Sequence, residues 1–167
     1  MPNHCYQQVT ITGPRALISQ IEDNLKCEES RFCDLISPMP FEIWVEADVK
    51  ITKPVNTTLP SWYEWRNENW GTKWDVCAVE MGDIRLKLWN PPAAEIEFQC
   101  WTAWAPPIPI WDRLVDLGCK VEADYQDEGG MFEGTYRDGL DECWVPAADE
   151  EEDEVMNLDK DVYEEDE

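Results

Sequence analysis

The sequence predicts an α+β fold of the ferredoxin-like type, in which an antiparallel sheet carries two helices on one face, plus a tryptophan-rich insertion. Strand-like and helix-like apolar patterns follow one another in the order strand, helix, strands, helix, strands. Glycine and proline residues mark the ends of these segments. The 167 residues suit one domain. We place the ferredoxin-like domain at residues 1–146, the insertion at 41–74 and an acidic tail at 147–167.

The N-terminal part of the chain predicts a strand followed by a helix. From His4 to Thr12, apolar and polar residues alternate, as in a strand with one buried face. Gly13 and Pro14 follow, and proline is well tolerated in the first turn of a helix. The next apolar residues share one helical face, which we expect to pack on the sheet: Leu17, Ile18, Ile21 and Leu25.

The next segment predicts irregular structure and then a short helix. We expect Phe32–Ile36 to be a short strand or extended piece, and residues 41–60 to form an insertion or long loop because they lack a clean period. Ser61 is a good N-cap residue, and Glu64 favours the first turn of the helix that follows. Gly71 is expected to end that helix.

The clearest strand pattern lies between Ile84 and Cys100. Apolar residues alternate with Arg85 and Lys87 before the Asn90–Pro92 turn, and with glutamates after it. If the two strands pair antiparallel, one face is apolar and the other places two cations opposite Glu95 and Glu97. We expect that second face to be solvated.

The C-terminal part of the domain predicts a second helix and three strands. The helix contains Ile110, Trp111, Leu114 and Val115, and Gly118 is expected just past its end. Alternation then predicts a strand over Cys119–Gln126 and another over Met131–Arg137. Asp138-Gly139 is a strong hairpin signal leading into a last strand over Leu140–Trp144.

The charge is extreme. The chain has 37 acidic and 13 basic residues, a formal net charge of −24. Residues 147–167 contribute −11 and the remaining body −13, so the folded part is acidic in its own right. Such a field repels nucleic acid and anionic membranes, and it attracts basic proteins. The simpler interpretation, that acidity keeps a chain with ten tryptophans soluble, stays open.

Other sequence features argue against export and catalysis. The N-terminus resembles no signal peptide and no apolar run approaches membrane-spanning length, so we expect a cytoplasmic protein without membrane contact. Seven cysteines without a CxxC pair predict reduced, mostly buried thiols and no zinc site. The single histidine, His4, could act as a base, but no nucleophile that it would activate is recognisable, and the sequence contains none of the common catalytic motifs. We therefore expect neither an enzyme nor a cofactor.

Several strings resemble the YubB-like ferredoxin-fold family of phages and conjugative plasmids. They are Met1–His4 with Thr10–Gly13, Phe32–Asp34 with Ile36–Pro40, Trp62–Arg66 with Asn69–Trp74, and Thr102–Trp104 with Pro106–Pro109. The resemblance spans residues 1–145 and leaves the acidic tail outside. It implies a ferredoxin-like domain from a mobile genetic element, and it implies no reaction and no catalytic residues.

The leading functional hypothesis is an acidic inhibitor that occupies the basic cleft of a nucleic-acid-handling protein. Carboxylates at strand spacing imitate the phosphate rows of a duplex, and complementary charge gives fast, salt-sensitive association. For a mobile-element protein the natural targets are host defence complexes such as CRISPR effectors or restriction enzymes. The predicted partner-binding residues are Glu122, Asp124, Asp127, Glu128, Glu133, Asp138, Asp141 and Glu142.

Two alternatives remain. A tryptophan-rich surface around Trp62, Trp65, Arg66 and Trp70 could bind a protein. Trp65 with Arg66, Asn67 and Asn69 could also line a ligand groove, but the simpler interpretation is that tryptophans attach a short helix to the sheet: Trp62, Trp65, Trp70 and Trp74. An enzyme acting on a small molecule would need a carboxylate pair facing a pocket. A hard cation such as calcium could bind the acidic cluster Glu122, Asp124, Asp127 and Glu128, but a solvated acidic edge is favoured and no metal site is predicted.

Overall fold

A computed structural model of the chain describes residues 3–48, 58–88 and 91–147. Within them the chain forms an α+β domain with an antiparallel sheet, as predicted. The strands are β1 (His4–Pro14), β2 (Cys77–Met81), β3 (Arg85–Lys87), β4 (Ala93–Ala103), β5 (Lys120–Asp127), β6 (Glu133–Arg137) and β7 (Leu140–Trp144). The helices are α1 (Arg15–Leu25), α2 (Phe32–Ile36), α3 (Phe41–Asp48), α4 (Trp62–Asn69) and α5 (Ile108–Asp116).

The strand order is that of a ferredoxin-like sheet with an appended hairpin. The order is β2-β4-β1-β5-β6-β7, and β3 pairs with the start of β4. Helix α1 follows the central strand β1, and α5 connects β4 to β5, which lie on either side of β1. The four strands β2, β4, β1 and β5 with these two helices therefore give the ferredoxin-like arrangement. Strands β6 and β7 extend the sheet beyond β5.

The core lies between the helices and one face of the sheet. Alternate residues of β1, β4 and β5 point toward the helices and are almost fully buried. Ile18 and Ile21 from α1, and Ile110, Trp111 and Leu114 from α5, are each 0% exposed. Burying each aliphatic side chain of this size stabilises the fold by about 1.5–3 kcal/mol. Within the described ranges, this packing leaves the other face of the sheet without a helix.

Several local predictions are confirmed. Ser61 and Glu64 form a reciprocal capping box, in which the Glu64 N–H donates to Ser61 Oγ at 3.2 Å and the Ser61 N–H donates to Glu64 Oε2 at 3.0 Å. Arg85 and Lys87 form ion pairs with Glu95 on the solvated face, as the alternation indicated. The Asp138-Gly139 turn joins β6 to β7.

The prediction of a strand or extended piece at 32–36 is wrong, because Phe32–Ile36 forms the helix α2. Asp75, some 40 residues away, accepts hydrogen bonds from the Cys33 and Asp34 N–H groups at 2.8 and 3.1 Å. These are amides of the first turn of a helix, which have no partner within it. Tertiary contact therefore decides the conformation here.

The prediction of a loop over residues 41–60 is wrong at its start. Residues Phe41–Asp48 form α3, in which the N–H groups of Ile43 and Trp44 donate to the Pro40 carbonyl. Residues 49–57 lie outside the described part of the chain, as do 148–167 of the predicted acidic tail. Strand β2 was not predicted, because Cys77–Met81 shows weak alternation.

Candidate partner-binding face

The face of the sheet against which none of the described helices packs presents its side chains in cross-strand rows. We call this surface the open face. Residues directly opposite each other in an antiparallel pair point to the same side, so the strand registers define each row. The first row runs across the sheet and consists of Cys77, Trp101, Tyr6, Gln126, Glu133 and Trp144. Three of its six members are aromatic.

The second row is acidic. It lies next to the first and consists of Glu80, Gln99, Gln8, Asp124, Thr135 and Glu142. No member of this row is basic. Asp124 pairs with Arg137 of the following row, whose Nη2 donates to Asp124 Oδ1 at 2.7 Å. Both side chains are substantially exposed, so this pair contributes little to stability.

Basic side chains concentrate at the opposite end of the open face. Arg85 contacts Glu95 at 3.2 Å and Glu97 at 3.4 Å, and Lys87 contacts Glu95 at 3.0 Å. These cations, together with a hydrogen bond from Thr12, lower the pKa of Glu95, and the bond to Lys87 has the largest effect. The negative charges of Glu95 and Glu97 are therefore balanced by nearby cations, whereas those of the carboxylates near Trp144 are not.

Four of the eight predicted partner-binding carboxylates share the open face. Glu122 and Asp124 lie on β5, Glu133 on β6 and Glu142 on β7. Within the described ranges, no ion pair joins Glu122, Glu133 or Glu142 to a basic side chain. Glu133 accepts a hydrogen bond of 2.6 Å from the Trp144 indole N–H. These four carboxylates come from three neighbouring strands.

The other four predicted residues lie at turns or on the opposite face. Asp127 is 4% exposed and accepts the Gly129 and Met131 N–H groups at 3.0 and 3.2 Å, which closes the β5–β6 turn. Asp138 accepts the Val121 N–H at 2.7 Å. A sequence does not separate such turn carboxylates from binding carboxylates, since an acidic residue close to a strand end is compatible with either role.

The remaining two, Glu128 and Asp141, also contact neighbours. Glu128 Oε2 lies 3.3 Å from Nδ1 of His4, so the lone histidine pairs with an exposed carboxylate. Asp141 points to the helix side of the sheet and accepts a 2.6 Å hydrogen bond from the Tyr125 hydroxyl. Burial, and then this contact with a carboxylate, raise the pKa of Tyr125 well above its usual value.

The alternative interface forms one cluster around Arg66. Its guanidinium carbon lies 5.1 Å from the centre of the Trp62 ring and 4.9 Å from that of Trp70. Trp44, which the sequence did not single out, adds a third ring at 5.0 Å. Trp65 packs edge-on against Trp70, which is 1% exposed and donates its indole N–H to the Ser37 carbonyl. Trp70 is therefore a core residue.

A second aromatic cluster is exposed. Lys73 Nζ lies 5.1 Å from the centre of the Trp74 ring and 5.2 Å from that of Trp104, with Tyr63 at 6.0 Å. All three rings are about two-fifths exposed. Trp104 has φ +69°, a left-handed conformation that is costly for a bulky residue. The sequence showed the aromatic residues but not that they surround one lysine.

The described ranges contain neither a cluster of metal-ligating side chains nor a membrane-spanning helix. No three His, Cys, Asp or Glu side chains in them come together in a metal-binding geometry. None of the described helices has the length and apolarity to cross a bilayer. All seven cysteines are free thiols, four of them buried.

Comparisons with known proteins find one distant structural neighbour. No protein-family model matches the chain, and no curated protein matches it. A crystal structure of protein api92 from Yersinia pseudotuberculosis, described with the family DUF1281, aligns with 89% of this chain and 99% of its own. The two share 9% identical residues with a TM-score of 0.45, and this similarity carries no conclusion about function.

Proposed function

We propose that this protein binds a basic protein through the open face and so inhibits a nucleic-acid-handling defence complex of the host cell. The observation that carries the proposal is the set of four carboxylates that three neighbouring strands hold on the open face, which no described helix covers: Glu122, Asp124, Glu133 and Glu142. The sheet fixes their spacing without help from long flexible loops. Backbone positions that are fixed in advance lower the cost of ordering when an oppositely charged partner docks.

The spacing of these carboxylates suits a surface that normally contacts phosphates. Neighbouring strands lie about 4.8 Å apart, and alternate residues along one strand about 6.7 Å apart. A basic cleft that recognises phosphate rows meets charges of the same sign at a comparable density. The net charge of −24 opposes direct binding of DNA or RNA, so the partner is a protein and not a nucleic acid.

The resemblance to the YubB-like family supports the choice of a host defence complex as the target. A phage or conjugative-plasmid protein acts in the cytoplasm of a host that carries restriction or CRISPR systems, whose effectors have basic clefts. The proposal assigns no reaction and no cofactor to this protein. It acts by occupying a surface.

Affinity capture from nuclease-treated host lysate tests the proposal. The tagged protein is expected to retain a nucleic-acid-handling complex that moderate salt or added duplex displaces. A variant with four amides on the open face (Glu122→Gln, Asp124→Asn, Glu133→Gln and Glu142→Gln) is expected to retain none. Its matched control removes four exposed charges from the helix side: Asp23→Asn, Glu28→Gln, Glu68→Gln and Asp116→Asn.

The control separates a defined face from overall charge. Equal loss of binding in both variants would show that only net charge matters. Recovery of proteins without basic nucleic-acid clefts, or of nothing, would reject the proposal.

The exposed aromatic cluster supports a second candidate, a protein-interaction module. Tyr63, Trp74 and Trp104 present partly exposed rings around Lys73, and aromatic anchors dominate many interfaces. A complex anchored there would persist at moderate salt, and the four-amide variant would still form it. It would instead weaken in Trp74→Ala, whereas Leu88→Ala, which removes another exposed apolar side chain, would leave it unchanged.

A further inference from the structure

A groove of about 340 Å³ crosses the open face between Tyr6 of β1 and Trp144 of β7. Gln126 and Glu133 lie between these two aromatic residues in the first cross-strand row. Asp124 borders the groove from the acidic row. The volume is at the small end of the range for ligand pockets, so the groove accommodates side chains and not a whole folded element.

Both aromatic walls are held in place by contacts on the sheet. The Trp144 indole N–H donates to Glu133 Oε1 at 2.6 Å, which orients the ring beside that carboxylate. The Tyr6 ring packs edge-on against Trp101, with ring centres 5.2 Å apart. The groove is thus formed before any partner arrives, and little side-chain freedom is lost on binding.

The residues around the groove suit a cation. Of the described residues that line it, two are carboxylates, several are neutral hydrogen-bonding groups and none is basic. Arg137 reaches Asp124 from outside, whereas no described basic side chain forms an ion pair with Glu133. A carboxylate beside an aromatic ring attracts a cation in two ways, through charge-assisted hydrogen bonds and through the ring face.

We propose that this groove receives an arginine side chain from the basic partner. This inference rests on the proposed function, since it names the anchor by which that partner docks. Arginine fits better than lysine because its planar guanidinium can stack on Trp144 while its edge donates to Glu133. Lysine would bind as a point charge, without the stacking.

Three blocked tripeptides, acetyl-Gly-X-Gly-amide with X as arginine, lysine or norleucine, test the groove directly. The readout is the indole N–H NMR signal of Trp144, assigned by its loss in Trp144→Phe. We expect saturable shifts with the arginine peptide at millimolar concentration, several-fold weaker binding of the lysine peptide and none of the norleucine peptide. Equal shifts with arginine and norleucine peptides, or no shift with arginine, would overturn the inference.

Two matched variants separate the groove from the general charge of the face. Glu133→Gln keeps an acceptor oxygen for the Trp144 indole and removes only the charge, and we expect it to weaken arginine binding about tenfold. Glu95→Gln removes the same charge at the far end of the open face and should leave that binding unchanged. Equal weakening in the two variants would contradict a local site.

The same variants distinguish failure of the inference from failure of the proposed function. If the full protein captures a basic complex and Glu133→Gln captures it equally well, the function stands and the groove is not the anchor. If the arginine peptide binds the groove but no basic complex is captured from lysate, the groove stands and the proposed function fails.

Discussion

The hydroxyl of Tyr125 donates a 2.6 Å hydrogen bond to Asp141 and thereby connects β5 directly to β7 across the intervening strand β6. The tyrosine ring passes over Gly134, where an added Cβ would lie 2.3 Å from the Tyr125 oxygen. All five residues of β7 are exposed, so β7 has little apolar burial of its own. Besides its backbone pairing with β6, the strand that carries Glu142 is therefore held by this contact and by the hydrogen bond from Trp144 to Glu133.

Gly134→Ala is expected to loosen this connection. The new methyl group would clash with the Tyr125 ring and with the Glu142 carbonyl oxygen at 2.5 Å, and overpacking of this kind typically costs about 1–3 kcal/mol. Urea unfolding measures the loss. Thr135→Ala changes the next residue, whose side chain lies on the open face, and should cost less than about 1 kcal/mol. Similar losses in the two variants would contradict the close approach of Tyr125.

Alkaline pH is expected to destabilise the fold through Tyr136. This residue is 0% exposed, and its hydroxyl donates to Asp112 at 2.6 Å. Burial is the main cause that raises its pKa, and Asp112 adds to it. Because the unfolded tyrosine loses its proton near pH 10, the stability that this group contributes is complete below that pH and falls above it.

The urea midpoint measured between pH 9 and 11 tests this. Tyr136→Phe should lower stability at pH 8 by about 1 kcal/mol and flatten the decline above pH 10. Tyr63→Phe, at a ring that is 41% exposed, serves as the control and should keep the decline of the parent protein. An unchanged decline in Tyr136→Phe would contradict the assignment.

The sheet could be predicted from the sequence because its signals are local. Alternation in β1, β3, β4 and β5 and the Asp138-Gly139 turn are read within a few residues. Helix α2 could not be predicted in this way. Its first-turn amides bond to Asp75, and no local pattern at Phe32–Ile36 reveals that a distant carboxylate will do so. The same holds for Trp44, whose ring meets Arg66 only in the folded chain.

The candidate face was only partly predictable, for a related reason. Strand alternation places Glu122 and Asp124 on one face, but whether a carboxylate near a turn binds backbone or faces solvent depends on turn geometry. Asp127 and Asp138 accept backbone N–H groups, and Asp141 points to the helix side toward Tyr125. The sequence pattern also does not show that Glu95 forms ion pairs with Arg85 and Lys87, whereas Glu133 pairs with no described basic side chain.

Removing the Asp75 carboxylate is expected to destabilise α2. Its oxygens accept three backbone N–H groups, from Cys33, Asp34 and Val76, and Asp75→Ala leaves these partly buried donors unpaired. We expect a loss of about 2–3 kcal/mol in urea unfolding. Asp83→Ala removes an exposed carboxylate and should change stability by less than about 0.5 kcal/mol. Equal effects would show that Asp75 does not hold the helix.

Arg66→Lys is expected to destabilise the tryptophan cluster although it keeps the charge. The guanidinium carbon lies 5.0, 5.1 and 4.9 Å from the ring centres of Trp44, Trp62 and Trp70, and an ammonium group does not reproduce these contacts of a planar cation. The expected loss is about 1–2 kcal/mol. Arg85→Lys, at an arginine whose side chain is 61% exposed, should cost less than about 0.5 kcal/mol. If Arg66→Lys left the free energy of unfolding unchanged, the contacts of the guanidinium with the three rings would contribute nothing to stability.

The seven thiols are expected to react in three groups. Cys27 and Cys143 are exposed and should react quickly with Ellman's reagent. Cys77 is also exposed, but partial burial raises the pKa of its thiol, so its reaction should be slower. Cys5, Cys33, Cys100 and Cys119 are buried, and burial raises the pKa of each, that of Cys5 to about 11. They should react only after unfolding.

Peptide mapping after brief labelling of the native protein identifies which thiols have reacted. Labelling in denaturant without reductant should then modify all seven, since the structure contains only free cysteines. A shortfall of two in denaturant would reveal a disulfide and contradict the structure. Early labelling of Cys33 or Cys100 would instead show that the helices separate readily from the sheet, because both side chains lie between these layers.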